Sequence, residues 1–142
     1  MKSVAQILKS KPAGVVSISP DVPVLEALKL LSDRGVGAVL VMDGSRVAGI
    51  VSERDYTRKV ELKGKSASTT PVSEIMTKEV ICVTPKQTNE ECMALMTGKR
   101  LRHLPVIENG EVVGILSIGD LVKDVISEQQ FIIEQLEHYI HR

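Results

Sequence analysis

The sequence predicts an α/β (α+β) fold: two tandem β-α-β-β-α units with an extended C-terminal helix. Three observations predict it. There is a gapless internal repeat, each copy holds two strand-like runs joined by a tight turn, and the chain ends in a heptad-spaced apolar seam. A shift of 65 residues, the distance from Pro20 to Pro85, lays Val15–Tyr56 on Val80–Leu121. Glu26 then meets Glu91, Leu30 meets Leu95 and Val41 meets Val106. Gly49 meets Gly114, Ser52 meets Ser117 and Asp55 meets Asp120. With a short insertion in the first copy, Val4 and Ile7 also match Val72 and Ile75. The expected division is residues 1–62 as the first unit, 63–71 as a polar linker, and 72–142 as the second unit with its helical extension. A single unit of roughly 50 residues is marginal alone, which gives a physical reason for the pairing.

Each element follows from local pattern. Val15–Ile18 and Val80–Val83 are β-rich runs, each closed by a proline that cannot donate to a continuing ladder. Helical spacing follows at Val24, Leu28 and Leu31, and at Cys92, Met93 and Met96. Strands are expected at Ala38–Met42 and Val47–Val51 around Asp43-Gly44-Ser45. The second copy repeats them at His103–Ile107 and Val112–Leu116 around Glu108-Asn109-Gly110. Gly and Asn suit the positive φ that such turns need. A second helix is expected after Ser52 and again after Ser117.

Composition narrows the function. The 18 basic and 18 acidic residues cancel, and the chain has no Trp, two Tyr and one Phe. Neither a global field for nucleic acid nor an aromatic stacking platform is expected. No apolar run approaches a membrane span. Cys82 and Cys92 lack zinc-ligand spacing and read as free thiols of a reducing compartment, so a cytoplasmic location is expected without a metal. The opening stretch has no apolar h-region or small-residue cleavage site, so no secretory leader is expected.

The sharpest local signals are GIVSERD (Gly49–Asp55) and GILSIGD (Gly114–Asp120). Ser-x-x-Asp before an amphipathic run has the form of a capping box. The same geometry suits a ligand, because a helix start favours anions and a carboxylate can accept from both hydroxyls of a ribose. The second copy also carries Lys99-Arg100-Leu101-Arg102-His103 just before its strand, where the first has Gly37 and Ala38. Such a cluster is either a solvated surface or an anion site, for which Arg is the better clamp.

These residues, with VSEIMT (Val72–Thr77), VICVTP (Val80–Pro85) and RLRHLPVIENGEVVGILSIGDL (Arg100–Leu121), make the chain resemble a CBS-domain pair, or Bateman module, over nearly its whole length. The resemblance is to small bacterial and plant-organellar signal-transduction proteins made of such a pair alone. It implies two units related by a pseudo-two-fold axis, with two clefts that take adenosyl ligands: AMP, ADP, ATP, NAD or NADH, or S-adenosylmethionine. Carried over, one site would use Ile50, Ser52, Arg54 and Asp55 with Val80, Ile81, Arg102 and His103. A second, weaker site would use Val15, Val16, Ala38, Ser117 and Asp120. It would lack paired cations, and Gly119 stands where the first copy has Arg54.

At the chain end, Val122, Ile126, Gln129, Ile133, Leu136 and Ile140 form a heptad seam with one polar position. It fits either packing on its own unit or a homodimer through helices, which the resemblance favours. The leading functional expectation is a non-catalytic, nucleotide-responsive regulatory module whose partner is a regulated enzyme. No nucleophile–base set or Walker A loop is present. The competing reading is a ligand-independent interaction module for a partner enzyme or redox protein.

Overall fold

The computed structural model describes residues 2–12 and 14–141. Its elements in chain order are α1 (Val4–Lys9), β1 (Ser17–Ile18), α2 (Val24–Arg34), β2 (Ala38–Asp43), β3 (Arg46–Ser52) and α3 (Glu53–Lys59). They continue with α4 (Asn89–Lys99), β4 (His103–Glu108), β5 (Glu111–Ser117) and α5 (Ile118–Ile140). Short 3-10 turns lie at Glu61–Lys63 and Val72–Glu74. The chain forms two compact units, Val15–Val80 and Met1–Gly14 with Ile81–Arg142.

The boundaries of these units differ from those of the sequence repeat. The leading segment of each copy packs with the body of the other. In the Val15–Val80 unit, Val72 N–H donates to Val22 O at 2.8 Å and Ser73 N–H to Pro20 O at 3.0 Å. In the other unit, Val4 N–H donates to Gln87 O at 2.8 Å and Ala5 N–H to Pro85 O at 3.0 Å. Residues 63–71, expected as a linker, are built into the first of these units. The α2 N-cap Pro23 offers no side-chain oxygen. Its free amides are met instead by Thr70 O, from Val24 N–H at 2.8 Å, and Ala67 O, from Leu25 N–H at 3.0 Å.

In the Val15–Val80 unit the strand order is β1-β2-β3, with β1 parallel and β3 antiparallel to β2. Val39 and Val41 of β2, Val51 of β3, and Val24, Ala27 and Leu31 of α2 form the core with Val60, Val72 and Ile75. The other unit repeats this with the antiparallel pair β4-β5 and a core of Val4, Ile7, Val83, Cys92, Met96, Leu104, Val106, Leu116 and Leu121. The two hairpins turn at Gly44 (φ 64°), and at Asn109 and Gly110 (φ 53° and 79°), as the turn residues predict.

The expected first strands are shorter than their apolar runs. Only Ser17–Ile18 forms a strand, and in the second copy only Val83 bridges, to Val106. The second case has a direct cause. Leu40 N–H donates to Val16 O at 3.1 Å in the first copy. The matching position is Pro105, which has no N–H, so Ile81 O loses that ladder bond. The ladder survives at Val83, whose N–H donates to Pro105 O and whose O accepts from Ile107 N–H, both at 2.9 Å.

Helix α5 is anchored through its buried residues Leu121 and Asp124. Beyond them the heptad residues are uncovered: Ile126, Ile133, Leu136 and Ile140 are 60, 47, 56 and 71% exposed. The seam is therefore not spent on the helix's own unit.

Candidate functional site

The site is built from the strand-to-helix junction that both copies share. Each junction has a glycine in its strand where a neighbouring segment packs closely. A Cβ on Gly49 would lie 2.9 Å from Thr77 O and 2.7 Å from Met76 Sδ, and one on Gly114 would lie 2.7 Å from Leu8 Cδ2. The strand then ends in Ser52 or Ser117, and each is the N-cap of the next helix with a complete capping box.

At the first junction, Ser52 Oγ accepts from Asp55 N–H at 3.2 Å. Asp55 Oδ2 accepts from Ser52 N–H at 2.9 Å and from Ser52 Oγ at 3.1 Å. Its other oxygen, Oδ1, faces Lys59 Nζ at 3.1 Å and Thr77 Oγ1 at 3.5 Å. Lys59 also donates to Ile75 O at 2.9 Å. Ile50 is bonded in both directions to the Thr77 backbone, at 3.0 and 2.9 Å. The structure thus gathers Ile50, Ser52 and Asp55 with Thr77 and Lys59. Arg54 stands exposed on α3, and Val80 is half-buried where this unit ends.

At the second junction, Ser117 Oγ accepts from Asp120 N–H at 3.2 Å, and Asp120 Oδ2 accepts from Ser117 N–H at 2.8 Å. Lys11 Nζ reaches the same Oδ2 at 2.7 Å and Ile115 O at 2.6 Å. Burial alone would raise the Asp120 carboxyl. The Lys11 hydrogen bond and charge, with the Ser117 amide and hydroxyl, outweigh burial and hold it below its ordinary value. Lys11 thus brings a cation to this carboxylate from the leading segment and not from the paired positions before the strand.

The remaining predicted residues fall as follows. The register sets Ala38 opposite Ser52 and His103 opposite Ser117, so each stands beside the cap of its own copy. Arg102 is exposed, with its carbonyl accepting from Ile118 N–H at 2.9 Å. Val15 and Val16 are half-buried ahead of β1, and Ile81 is half-buried against the core of its unit. Lys11, Lys59 and Thr77 were not among the predicted site residues. Lys59 had a signal, four residues after Asp55 on one helix face. Lys11 had none, since it reaches Asp120 across 109 residues of sequence.

Among the described residues no cluster of His, Cys, Asp and Glu could hold a metal, and no helix is long and apolar enough to cross a membrane. Cys82 and Cys92 are free of disulfides, and burial raises both thiols.

Two units with doubled Gly-x-x-Ser-x-x-Asp junctions define a pair of like α/β modules. The family profile described as "CBS domain" matches residues 4–61 and 72–127, and the chain belongs to the CBS-domain family. It is 36% identical over 147 residues to the mitochondrial CBS domain-containing protein CBSX3 of Arabidopsis thaliana, covering 97% of this chain and 71% of that one. Among solved structures, a protein with CBS domains from Burkholderia ambifaria MC40-6 superposes with a TM-score of 0.87. It is 51% identical, and the match covers 90% of this chain and 96% of that one. The CBS domain protein PAE2072 from Pyrobaculum aerophilum, solved in complex with AMP, gives a TM-score of 0.74 at 26% identity, covering 83% and 88%. CBS-domain proteins are in general regulatory modules without catalysis of their own.

Proposed function

We propose that this CBS pair is a sensor of adenosyl nucleotides, with AMP the first candidate. The observation that carries the reading is the Asp55 carboxylate. It is fixed by the Ser52 amide and hydroxyl through one oxygen and leaves the other beside Thr77 and Lys59. A pre-oriented acceptor of this kind suits a vicinal diol. The AMP complex of PAE2072 supports the ligand class. Ile50, Ser52, Arg54, Asp55, Val80, Ile81, Arg102 and His103 are assigned to this site, and Val15, Val16, Ala38, Ser117 and Asp120 to a weaker one. Binding drives a response only through unequal affinity for two states of the protein, which a partner then reads.

The experiment is thermal unfolding against AMP, ADP, ATP, NAD, NADH and S-adenosylmethionine. A true ligand at about a hundred times its dissociation constant adds roughly 2.7 kcal/mol, a rise of several degrees in Tm. No shift with any of them at millimolar concentration, in folded protein free of co-purified nucleotide, contradicts the reading.

The uncovered face of α5 favours a second element of the function, homodimerisation through helices. Light scattering should return the mass of two chains, and a monomer would overturn it. The same face is what a ligand-independent interaction module for an enzyme or redox protein would use. That reading prevails if partner binding survives loss of Asp55 and Asp120.

A further inference from the structure

The Asp120 carboxylate already has an occupant, and it comes from the chain itself. Lys11 Nζ lies 2.7 Å from Oδ2 and 2.6 Å from Ile115 O. Both side chains of the pair are largely shielded, with 31% of Lys11 and 20% of Asp120 exposed. Oδ2 also takes the Ser117 amide at 2.8 Å.

In the Val15–Val80 unit the same two tasks are divided. The carbonyl matching Ile115 is that of Ile50, and it accepts from the Thr77 amide at 2.9 Å. The cation on Asp55 is Lys59, which approaches the opposite oxygen, Oδ1, at 3.1 Å. Lys59 is 44% exposed and belongs to the same helix as its partner. Lys11 instead holds two oxygens of the junction from outside it, and it presses on the oxygen that the cap already uses.

We propose that Lys11 is a specificity determinant of the Asp120 site: it occupies the carboxylate as an internal competitor and selects against neutral diol donors. The proposal rests on the nucleotide reading above. A ribose diol binds a carboxylate best with one hydroxyl on each oxygen. At Asp120 one of those oxygens already accepts an amide and an ammonium. The ammonium contact is charge-assisted and stronger than a hydroxyl can offer. A ribose that engages both oxygens must displace Lys11 at Asp120, as it must displace Lys59 at Asp55, but Lys11 is the less exposed of the two cations and is also held by Ile115 O at 2.6 Å.

Calorimetric titration of AMP into the full chain tests this. Asp55→Ala is introduced first so that the Asp120 end is read alone. Lys11→Met, which keeps the aliphatic stem, or Lys11→Gln, which keeps a donor for the Ile115 carbonyl, is then added. Each variant's unfolding midpoint is measured beside it, and the Gln variant keeps the test alive if Met disturbs the fold. Both should tighten AMP binding by about fivefold or more, and a further Asp120→Ala should remove the gain. Unchanged or weaker binding in the Lys11 variants, while the unmodified chain binds AMP, overturns the inference and leaves the nucleotide reading standing. If neither the unmodified chain nor any variant binds AMP, both fall.

Discussion

The two units solve the same junction with different residues. Both end a strand in Ser, cap a helix with it, and fold Asp back onto the cap amide. They part four residues later. The first copy has Lys59, which supplies Asp55 with a cation from its own helix. The matching second-copy residue is Asp124, and it is buried. There its Oδ2 accepts from the Asn89 amide at 2.6 Å, while Lys2 Nζ lies 3.3 Å from Oδ1. Asn89 itself matches Val24, an apolar core residue of the first copy. With Lys replaced by a buried Asp, the cation for Asp120 comes from Lys11 on the leading segment. The cap, which is local, has been kept, whereas the charge balance around it has been redistributed through tertiary contacts.

The buried polar pair is where the comparison should break most visibly. Asn89→Ala leaves the Asp124 carboxylate buried without its short hydrogen bond, a loss of about 1.5–3 kcal/mol. Denaturant unfolding should show it, whereas Val24→Ala in the first copy removes only apolar packing. If Asn89→Ala cost nothing, the Asn89–Asp124 bond would not be a stabilising feature.

The glycines sharpen the same contrast. A Cβ at Gly49 meets the Thr77 carbonyl, which is backbone and cannot swing aside, while a Cβ at Gly114 meets only the flexible end of Leu8. Gly49→Ala should destabilise by about 1–3 kcal/mol and Gly114→Ala by clearly less. Equal effects by thermal unfolding would mean that the Thr77 backbone yields as easily as a leucine tip.

The smallest expected effect is a gain. Helix α2 ends on Gly35 (φ 62°), and the matching α4 ends on Arg100 (φ 56°), both left-handed. Arg100→Gly relieves a conformation costly to a side chain, offset by the freer unfolded chain, for a net gain of about 0.5–1 kcal/mol. A loss of stability would show that the Arg100 side chain contributes more than its backbone costs.

What the sequence made legible was whatever depends on neighbours in the chain. The hairpin turns at Gly44 and Asn109-Gly110, the Ser52 and Ser117 caps, and the heptad spacing of α5 all follow from short-range pattern, whereas the exposure of that seam does not. The strand at Val80–Val83 failed because its ladder depends on Pro105, on another strand. Residues 63–71 fall between the two family-matched segments, but nothing in their polar composition shows that the carbonyls of Ala67 and Thr70 complete the start of α2. Lys11 was invisible for the same reason. No periodicity within residues 2–12 announces that its ammonium will settle on a carboxylate 109 positions away.

The central claim is that Asp55 holds the ribose of an adenosyl ligand, and one measurement tests it most directly. The AMP dissociation constant is determined by calorimetry for the unmodified chain and for Asp55→Ala, with both confirmed as folded. Loss of a charge-assisted contact worth about 1.5–3 kcal/mol should weaken binding by roughly one to two decades. Equal affinity in the two proteins would contradict the claim, and the junction would then be a helix cap and nothing more.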